Sequence, residues 1–351
     1  MIAGICQSPR STMPMSSPRI DSHATRLLVI DGATVEALVS PGEALALAEA
    51  ALRKTSSGAA RQDIRRTLAL SGDPGTCLSM MYASLDESPY FGAKVQSVYP
   101  RNFQHGMPSH QGGVLLFDRE RGEPVALIGA TAITGLRTPA ATAVATGALA
   151  RENSCELAVI GYGEQAKRHI AAISLVRTIT RVRVWGRNAE KAARFAEAES
   201  AVGFPTVAMP TARLAVDGAD IVCTVTSSAL PVLEGEWLSP GTHVNAVGAS
   251  VAGLAEIDLA CVTRSSIWVD YRPMAMVAAS DLIEPLSQGL IESSHIVGEI
   301  GAVLNGAVRG RSSEAEITLY RSLGVPAEDI ELANFIYQKA KDLGLGVDVP
   351  L

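Results

Sequence analysis

The chain has 351 residues, 47% of them apolar and 19% charged, with a formal net charge of −6. That composition suits a globular protein with chain enough for a large core, and it excludes a wholly disordered one. The negative balance and the lack of any run of five Lys/Arg argue against a nucleic-acid partner, and no apolar stretch approaches the ~20 residues of a membrane span.

Residues 1–25 are rich in Ser, Pro and Met and lack an apolar core, so a disordered leader is expected there rather than a secretory signal. Order is expected to begin at LLVI (27–30), followed by Asp31-Gly32 and a helix across Pro41 to Lys54. Between Arg65 and Phe117 the runs TLAL, CLSMMYA, GAKVQSVY and GGVLLFD read as short strands split by Gly, Pro and Asp. RERGEP (119–124) predicts a hairpin turn into VALIGA. Ala130 to Ala150 then forms one long Ala/Thr-rich helical segment.

The most specific motif follows, LAVIGYGEQAKRHI from Leu157 to Ile170. An apolar strand enters a turn at Gly161 and Gly163 and leaves through Glu164, Gln165 and Ala166 into a helix. Strand, glycine turn and helix N-terminus in this order present backbone N–H groups and the positive helix pole to a diphosphate. Ala166 stands at the third glycine position, which only sets helix–strand packing. Further strands are predicted at RVRVW, TVAM, ADIVCTV, THVNAV and SIWVD, with helices over 164–176 and 188–201. Such alternation predicts a Rossmann-type, doubly wound parallel α/β sheet. Two more helical patterns, EITLYRSLG and EDIELANFIYQKAKDLG, occupy the tail.

Strand RVRVW runs into Gly186, Arg187 and Asn188. An acidic residue at this offset from the glycine turn grips the ribose of NAD; Arg187 instead suits the 2′-phosphate of NADP, or stands as a solvated surface arginine. Thr226, Ser227 and Ser228 follow ADIVCTV, and Val247 ends the strand THVNAV with Gly248 just after it, both at carboxyl ends where open α/β sheets bind ligands. Upstream, Arg65, Lys94 and Arg137 are cations in apolar settings. Singly, each reads better as snorkelling to water or pairing with an acidic residue, but their company upstream of a cofactor fold predicts, for Lys94 and Arg137, a pocket for a substrate carboxylate with Arg137 as its bidentate clamp. His110 lies in a Pro/Gly-rich loop, which suits a turn residue better than a catalytic one. The remaining histidines and the five cysteines show no metal-ligand spacing, so no metal is expected. The cysteines fit free thiols in a reducing cytoplasm.

GAKVQSVYPRN, ATAITGLRTPAATAVA, IGYGEQA, HVNAVGAS and EITLYRSLGVPAEDIELANFIYQKA together resemble the ornithine cyclodeaminase/mu-crystallin family, from about Leu27 to Gly346. The resemblance implies NAD(P) chemistry on small amino acids or cyclic imino acids. It also implies a homodimer built through the first domain, whose N-terminal part the C-terminal helices complete. The expected division is thus a substrate-binding and dimerisation α+β domain over 26–145 with 315–351, and a dinucleotide domain over 146–314. By position, Lys94 and Arg137 match the family's substrate-binding lysine and carboxylate-binding arginine. Arg65 resembles a further carboxylate contact and Met81 a pocket-lining methionine. In NAVGAS the chain departs from the cyclodeaminases, which carry an aspartate where this chain has Ser250; the ketimine-reducing members carry serine there. A hydroxyl cannot supply the carboxylate that ornithine cyclisation needs. The expectation is therefore reduction of a cyclic ketimine carboxylate, Δ1-pyrroline-2-carboxylate or Δ1-piperideine-2-carboxylate, by NADPH or NADH, with Lys94 and Ser250 at the reacting centre. Ornithine cyclodeamination, dehydrogenation of alanine or an N-alkyl amino acid, and a non-catalytic crystallin-like role are the rivals.

Overall fold

Strand β1 (Arg26–Ile30) ends at Asp31, whose carboxylate accepts the Thr34 N–H at 2.8 Å and caps helix α1 (Gly32–Leu38). Ser40 opens helix α2 (Pro41–Ser57) with a capping box. Its hydroxyl accepts the Glu43 N–H, Glu43 accepts the Ser40 N–H, and Gly58 closes the helix at φ +81°. The computed structural model in which these elements appear describes residues 25–70 and 75–351, so the expected leader, apart from Thr25, lies outside the described residues.

Next come β2 (Ala60–Gln62), β3 (Arg66–Ala69), β4 (Cys77–Leu85), β5 (Tyr90–Val98), β6 (His110–Asp118) and β7 (Pro124–Gly129). β4 to β7 form an antiparallel meander, and β1 adds in parallel beside β7. Period-two alternation divides this sheet by face. Met81, Lys94 and Val114 stand in one cross-strand row, buried to 1% exposure or less, whereas the neighbouring row of Met80, Val95 and Gly113 points the other way.

Helix α3 (Ala130–Leu149) is buried around most of its circumference, which its Ala, Thr and Gly content permits. It lies between the two halves of the molecule. Its Thr146 hydroxyl accepts from the Asn245 amide at 2.9 Å, and its Thr142 hydroxyl lies 3.1 Å from the ring of His169.

The second sheet is parallel throughout. It contains β8 (Glu156–Ile160), β9 (Arg181–Trp185), β10 (Thr206–Ala208), β11 (Ile221–Thr224), β12 (His243–Ala246), β13 (Ser266–Val269), β14 (Ile296–Glu299) and β15 (Thr318–Arg321). Helices α4 (Glu164–Ile173) and α5 (Ala189–Ala201) flank one face. The opposite face carries α6 (Ala212–Val216), α7 (Leu259–Arg264), α8 (Arg272–Ala278) and α9 (Ser280–Ser287), whereas α10 (Ile300–Leu304) packs on α2 of the first half, where a Cβ on Gly301 would fall 1.9 Å from the Leu52 carbonyl. The strand order is β10-β9-β8-β11-β12-β15-β13-β14, so the direction of winding reverses between β8 and β11. That reversal leaves a crevice beyond the carboxyl ends of the strands, the place where doubly wound sheets bind ligands.

One expectation needs correcting. EITLYRSLG reads as helical in sequence, and the first domain was expected to resume at 315. Thr318–Arg321 is instead a strand wedged between β12 and β13, in the interior of the second sheet. All four of its residues are buried, Arg321 included, so no polar face marks its period. Beyond it the chain completes the first half, through helix α11 (Pro326–Leu343) and strand β16 (Val347–Pro350), which pairs antiparallel with β1.

Candidate active site

The glycine turn stands at the switch point. Gly161 has φ +126°, and a Cβ there would fall 2.9 Å from the Val225 carbonyl, so only glycine fits without strain. Gly163 occupies the N-cap of α4 with no side-chain cap, and nothing lies within 4 Å of where its Cβ would be. The first turn of the helix thus has no side chain of its own capping it, and Glu164 turns aside to pair with Arg168 at 3.0 Å. The Gln165 side-chain oxygen is buried without a hydrogen-bond partner, and Ala166 is fully buried against the sheet. An uncapped positive helix end and an unsatisfied polar atom beside it suit a dinucleotide diphosphate.

Arg187 and Asn188 are exposed just past β9. Asn188 has a structural task as well, since its side chain accepts the Lys191 N–H at 2.9 Å and caps α5. Gly186 owes its identity to Tyr162, whose ring would lie 2.1 Å from a Cβ at that position. Thr226 and Gly248 meet at the ends of β11 and β12, where a Cβ on Gly248 would fall 2.0 Å from the Thr226 carbonyl. Val247 is buried beside them. A crevice of about 340 Å³ opens nearby, lined by Trp185, Thr211, Arg213, Val232 and Trp237 among others.

The cations converge from the other side. Lys94 is 1% exposed and lies 2.7 Å from the carboxylate of Asp329, which α11 supplies. Arg137 reaches from α3 to Glu328 at 2.9 Å and to Asp329 at 3.4 Å. The expected carboxylate clamp thus faces the protein's own carboxylates. Gly324, at φ +78°, has no room for a Cβ, which would lie 2.3 Å from the Arg137 guanidinium. Arg65 donates to the backbone carbonyls of Ser250 and Leu323, both at 2.8 Å, and so joins the first half to the loop after β12. Met81 lies directly across from Lys94 in the β4–β5 register. The strand pairing also sets His110 on the same face of the sheet as Lys94, nearer the edge, with its Nδ1 2.8 Å from the Ser109 hydroxyl.

Electrostatics follow from this crowding. Burial, together with the neighbouring Arg137 and Arg65, lowers the Lys94 pKa to about 8, against the pull of Asp329. Burial raises Glu328 to about 7 despite its pairing with Arg137. His110 is lowered to about 4, by desolvation first and then by the like charges of Lys94, Arg65 and Arg137, so it stays neutral at physiological pH. Arg65 Nε and Glu328 Oε1 are buried without hydrogen-bond partners. Buried polar atoms in such a state can be satisfied by water or by a polar ligand. The site can hold an anion against a group poised to give a proton near neutral pH. Among the described residues no group of three or more His, Cys, Asp or Glu could hold a metal ion.

The sequence reading missed Glu328 and Asp329 as members of this site. They lie 191 and 235 residues from Arg137 and Lys94, and at a helix N-terminus two acids read as ordinary dipole partners.

Known proteins resemble this chain in sequence and in fold. The profile of the ornithine cyclodeaminase/mu-crystallin family matches residues 27–344. A Δ1-pyrroline-2-carboxylate reductase of Bacillus cereus is 35% identical over 322 residues, 91% of this chain and 98% of its own. Ketimine reductase mu-crystallin of Mus musculus is 32% identical over 86% of this chain and 91% of its own. The solved structure of Thermococcus litoralis Δ1-pyrroline-2-carboxylate reductase, in complex with NADH and L-proline, superposes with a TM-score of 0.88. It is 33% identical and covers 92% of this chain and 100% of its own. The glycine turn at the switch point and the buried cations facing it therefore sit in a chain that belongs to the ornithine cyclodeaminase/mu-crystallin family.

Proposed function

We propose that this chain is an oxidoreductase that reduces a cyclic ketimine carboxylate, Δ1-pyrroline-2-carboxylate to L-proline and Δ1-piperideine-2-carboxylate to L-pipecolate, with NADPH or NADH. The observation that carries this reading is the 2.8 Å bond from Arg65 to the Ser250 carbonyl. It seats the cation cluster of the first half against the crevice of the dinucleotide sheet, so a small anion and a cofactor would meet there. The relatives described above, named for the same reduction, support it.

A bound reduced nicotinamide dinucleotide supplies a hydride to the imine carbon. The residues placed to hold it are Gly161, Gly163, Glu164, Gln165 and Ala166 at the diphosphate, Arg187 and Asn188 toward the ribose, and Thr226, Val247 and Gly248 at the nicotinamide end. Arg187 favours the 2′-phosphate of NADPH. Arg137 and Arg65 hold the substrate carboxylate by charge-assisted hydrogen bonds, and Met81 walls the pocket. Lys94, with its pKa near 8, keeps a proton available to the imine nitrogen, and a protonated imine is already a good hydride acceptor. Ser250 contributes a hydroxyl at the reacting end. An anionic substrate adds a negative charge, and Glu328 is the carboxylate best placed to take up a proton in balance. Orientation of the imine carbon supplies most of the rate advantage.

The outward face of the first sheet carries Leu68, Leu78, Met80, Val95 and Leu127, each at least 38% exposed. A contiguous apolar face of this kind calls for a partner, and we assign it to a second copy of the chain in a homodimer. Light scattering of the purified protein tests that assignment. Cys77, Cys155, Cys223 and Cys261 are free, which supports a cytoplasmic location. No helix among the described residues is long and apolar enough to cross a membrane.

The decisive assay is cofactor oxidation by purified protein with the five- and six-membered ketimines, beside an arm with ornithine and NAD. Formation of proline or pipecolate without ornithine consumption supports the reading. Ornithine turnover with no ketimine reduction refutes it.

A further inference from the structure

Glu256 is wholly buried in the connection between β12 and α7 and takes no part in the reaction outlined above. Its carboxylate nevertheless collects five donors, from the end of β11, the loop after it and the loop after β12. The Thr224 hydroxyl donates at 2.9 Å, the Thr226 N–H and hydroxyl at 2.6 and 2.7 Å, and the Gly248 and Ala249 N–H groups at 2.6 and 3.2 Å. Its backbone carbonyl also accepts the N–H groups of Val232 and Leu233, at 2.8 and 3.0 Å, which fixes the residue in place. Five donors converging on two oxygens need an acceptor-only group, and an ionised carboxylate is that group. The opposite polarity of the same loop is met by Arg321, fully buried beside Asp281 at 2.9 Å, which donates to the carbonyls of Ala246 and Ala249. One buried anion holds the loop's N–H groups and one buried cation holds its carbonyls.

We propose that Glu256 is a positioning residue for the reduction. It clamps the loop after β11 to the loop after β12 and so fixes the edge of the crevice where Thr226, Val247 and Gly248 receive the nicotinamide end of the cofactor. The proposal rests on the dinucleotide part of the reading above. The close approach of Gly248 to Thr226 is what the clamp maintains, and the cation cluster that binds the substrate carboxylate meets the same loop through Arg65 alone, at the Ser250 carbonyl. Loosening the clamp therefore affects the cofactor and the hydride step before it affects ketimine binding.

Glu256→Gln keeps the shape but turns one acceptor into a donor that opposes a backbone N–H. The expected result is an NADPH dissociation constant raised about 10-fold by tryptophan fluorescence, and kcat lowered about 10- to 100-fold, because a small misplacement of reacting groups costs rate steeply. The KM for the ketimine stays within about threefold, and the primary deuterium isotope effect measured with deuterated NADPH rises as hydride transfer becomes slower. A folded Glu256→Gln protein with wild-type dissociation constant and kcat overturns the proposal, as does one that loses thermal stability alone. If that variant does not fold, Thr224→Val decides by the same two readouts, since it removes a single donor. A shift in the same direction supports the clamp, and unchanged values overturn it. Wild-type protein that binds NADPH but reduces no ketimine refutes the substrate assignment alone, because the dissociation constants still decide the role of Glu256. Failure of the wild type to bind any dinucleotide overturns both.

Discussion

Replacing Lys94 by methionine tests the proton-donor role directly. The substitution keeps the length of a side chain that is 1% exposed and removes its charge. Burial holds the lysine near pKa 8 instead of its ordinary 10.5, a difference of about 3 kcal/mol between the charged and neutral forms. The sign follows from the lowered value. Below about pH 8 the folded protein carries the charge at that cost, and the cost is relieved as pH rises from about 8 toward 10.5, where the unfolded chain would also release the proton. As a general acid the residue is competent below about 8. The kcat for ketimine reduction should therefore fall about tenfold for each unit above that pH. In Lys94→Met the rate should drop roughly 100-fold or more at neutral pH, the usual scale of a lost proton donor. Steady-state kcat profiles from about pH 6 to about pH 10 for both proteins make the comparison. The substrate's own iminium also titrates, and the variant separates the two sources. If the alkaline limb persists unchanged in Lys94→Met, the limb belongs to the substrate and the reasoning fails.

Three further perturbations bear on neighbouring parts of the site. Arg137→Ala should raise the ketimine KM and lower kcat. It should also destabilise the fold by about 3–5 kcal/mol, since Glu328 and Asp329 lose a buried partner; an unchanged melting temperature with unchanged kinetics contradicts both roles. Gly161→Ala places a Cβ 2.9 Å from the Val225 carbonyl at φ +126°. A titration should show dinucleotide affinity weakened about tenfold or more, with strain of about 1–3 kcal/mol. Arg187→Ser should lower kcat/KM for NADPH about 10-fold while leaving that for NADH nearly constant, as loss of a charged hydrogen bond to a phosphate predicts. Equal losses with both cofactors would place Arg187 elsewhere.

Local chemistry was readable and distant pairing was not. The glycine turn declares itself because strand, turn and helix are contiguous, and each glycine answers a steric demand within a few residues. Lys94 and Arg137 stand out because charge amid small apolar residues demands a partner, yet nothing in their segments names that partner. Asp329 and Glu328 are supplied by α11, from the far end of the chain. Asn188 lay at the expected ribose position, but an exposed asparagine before a helix also caps it, and the sequence carries both signals at once. The tail strand was misread for a related reason. Arg321 breaks the apolar run LYRSL, and only the buried ion pair with Asp281 lets an arginine occupy a central strand. Glu256 escaped notice because its five donors come from the carboxyl ends of β11 and β12 and the loops beyond them, which meet only when the sheet has formed.

The placement of β15 has a consequence for how the molecule is made. β12 and β13 are both parallel neighbours of β15 and have no direct hydrogen bonds to each other, so they remain separated until residues 318–321 arrive. During synthesis the dinucleotide sheet thus waits, in two pieces, for a segment near the end of the chain. The same segment leads through Leu323 and Gly324, against Arg65 and Arg137, into the helix that closes the first half. A protein truncated at 314 would lack the seam of one half and the lid of the other. Neither half is a detachable module, and binding-domain fragments cut at that boundary should aggregate rather than fold.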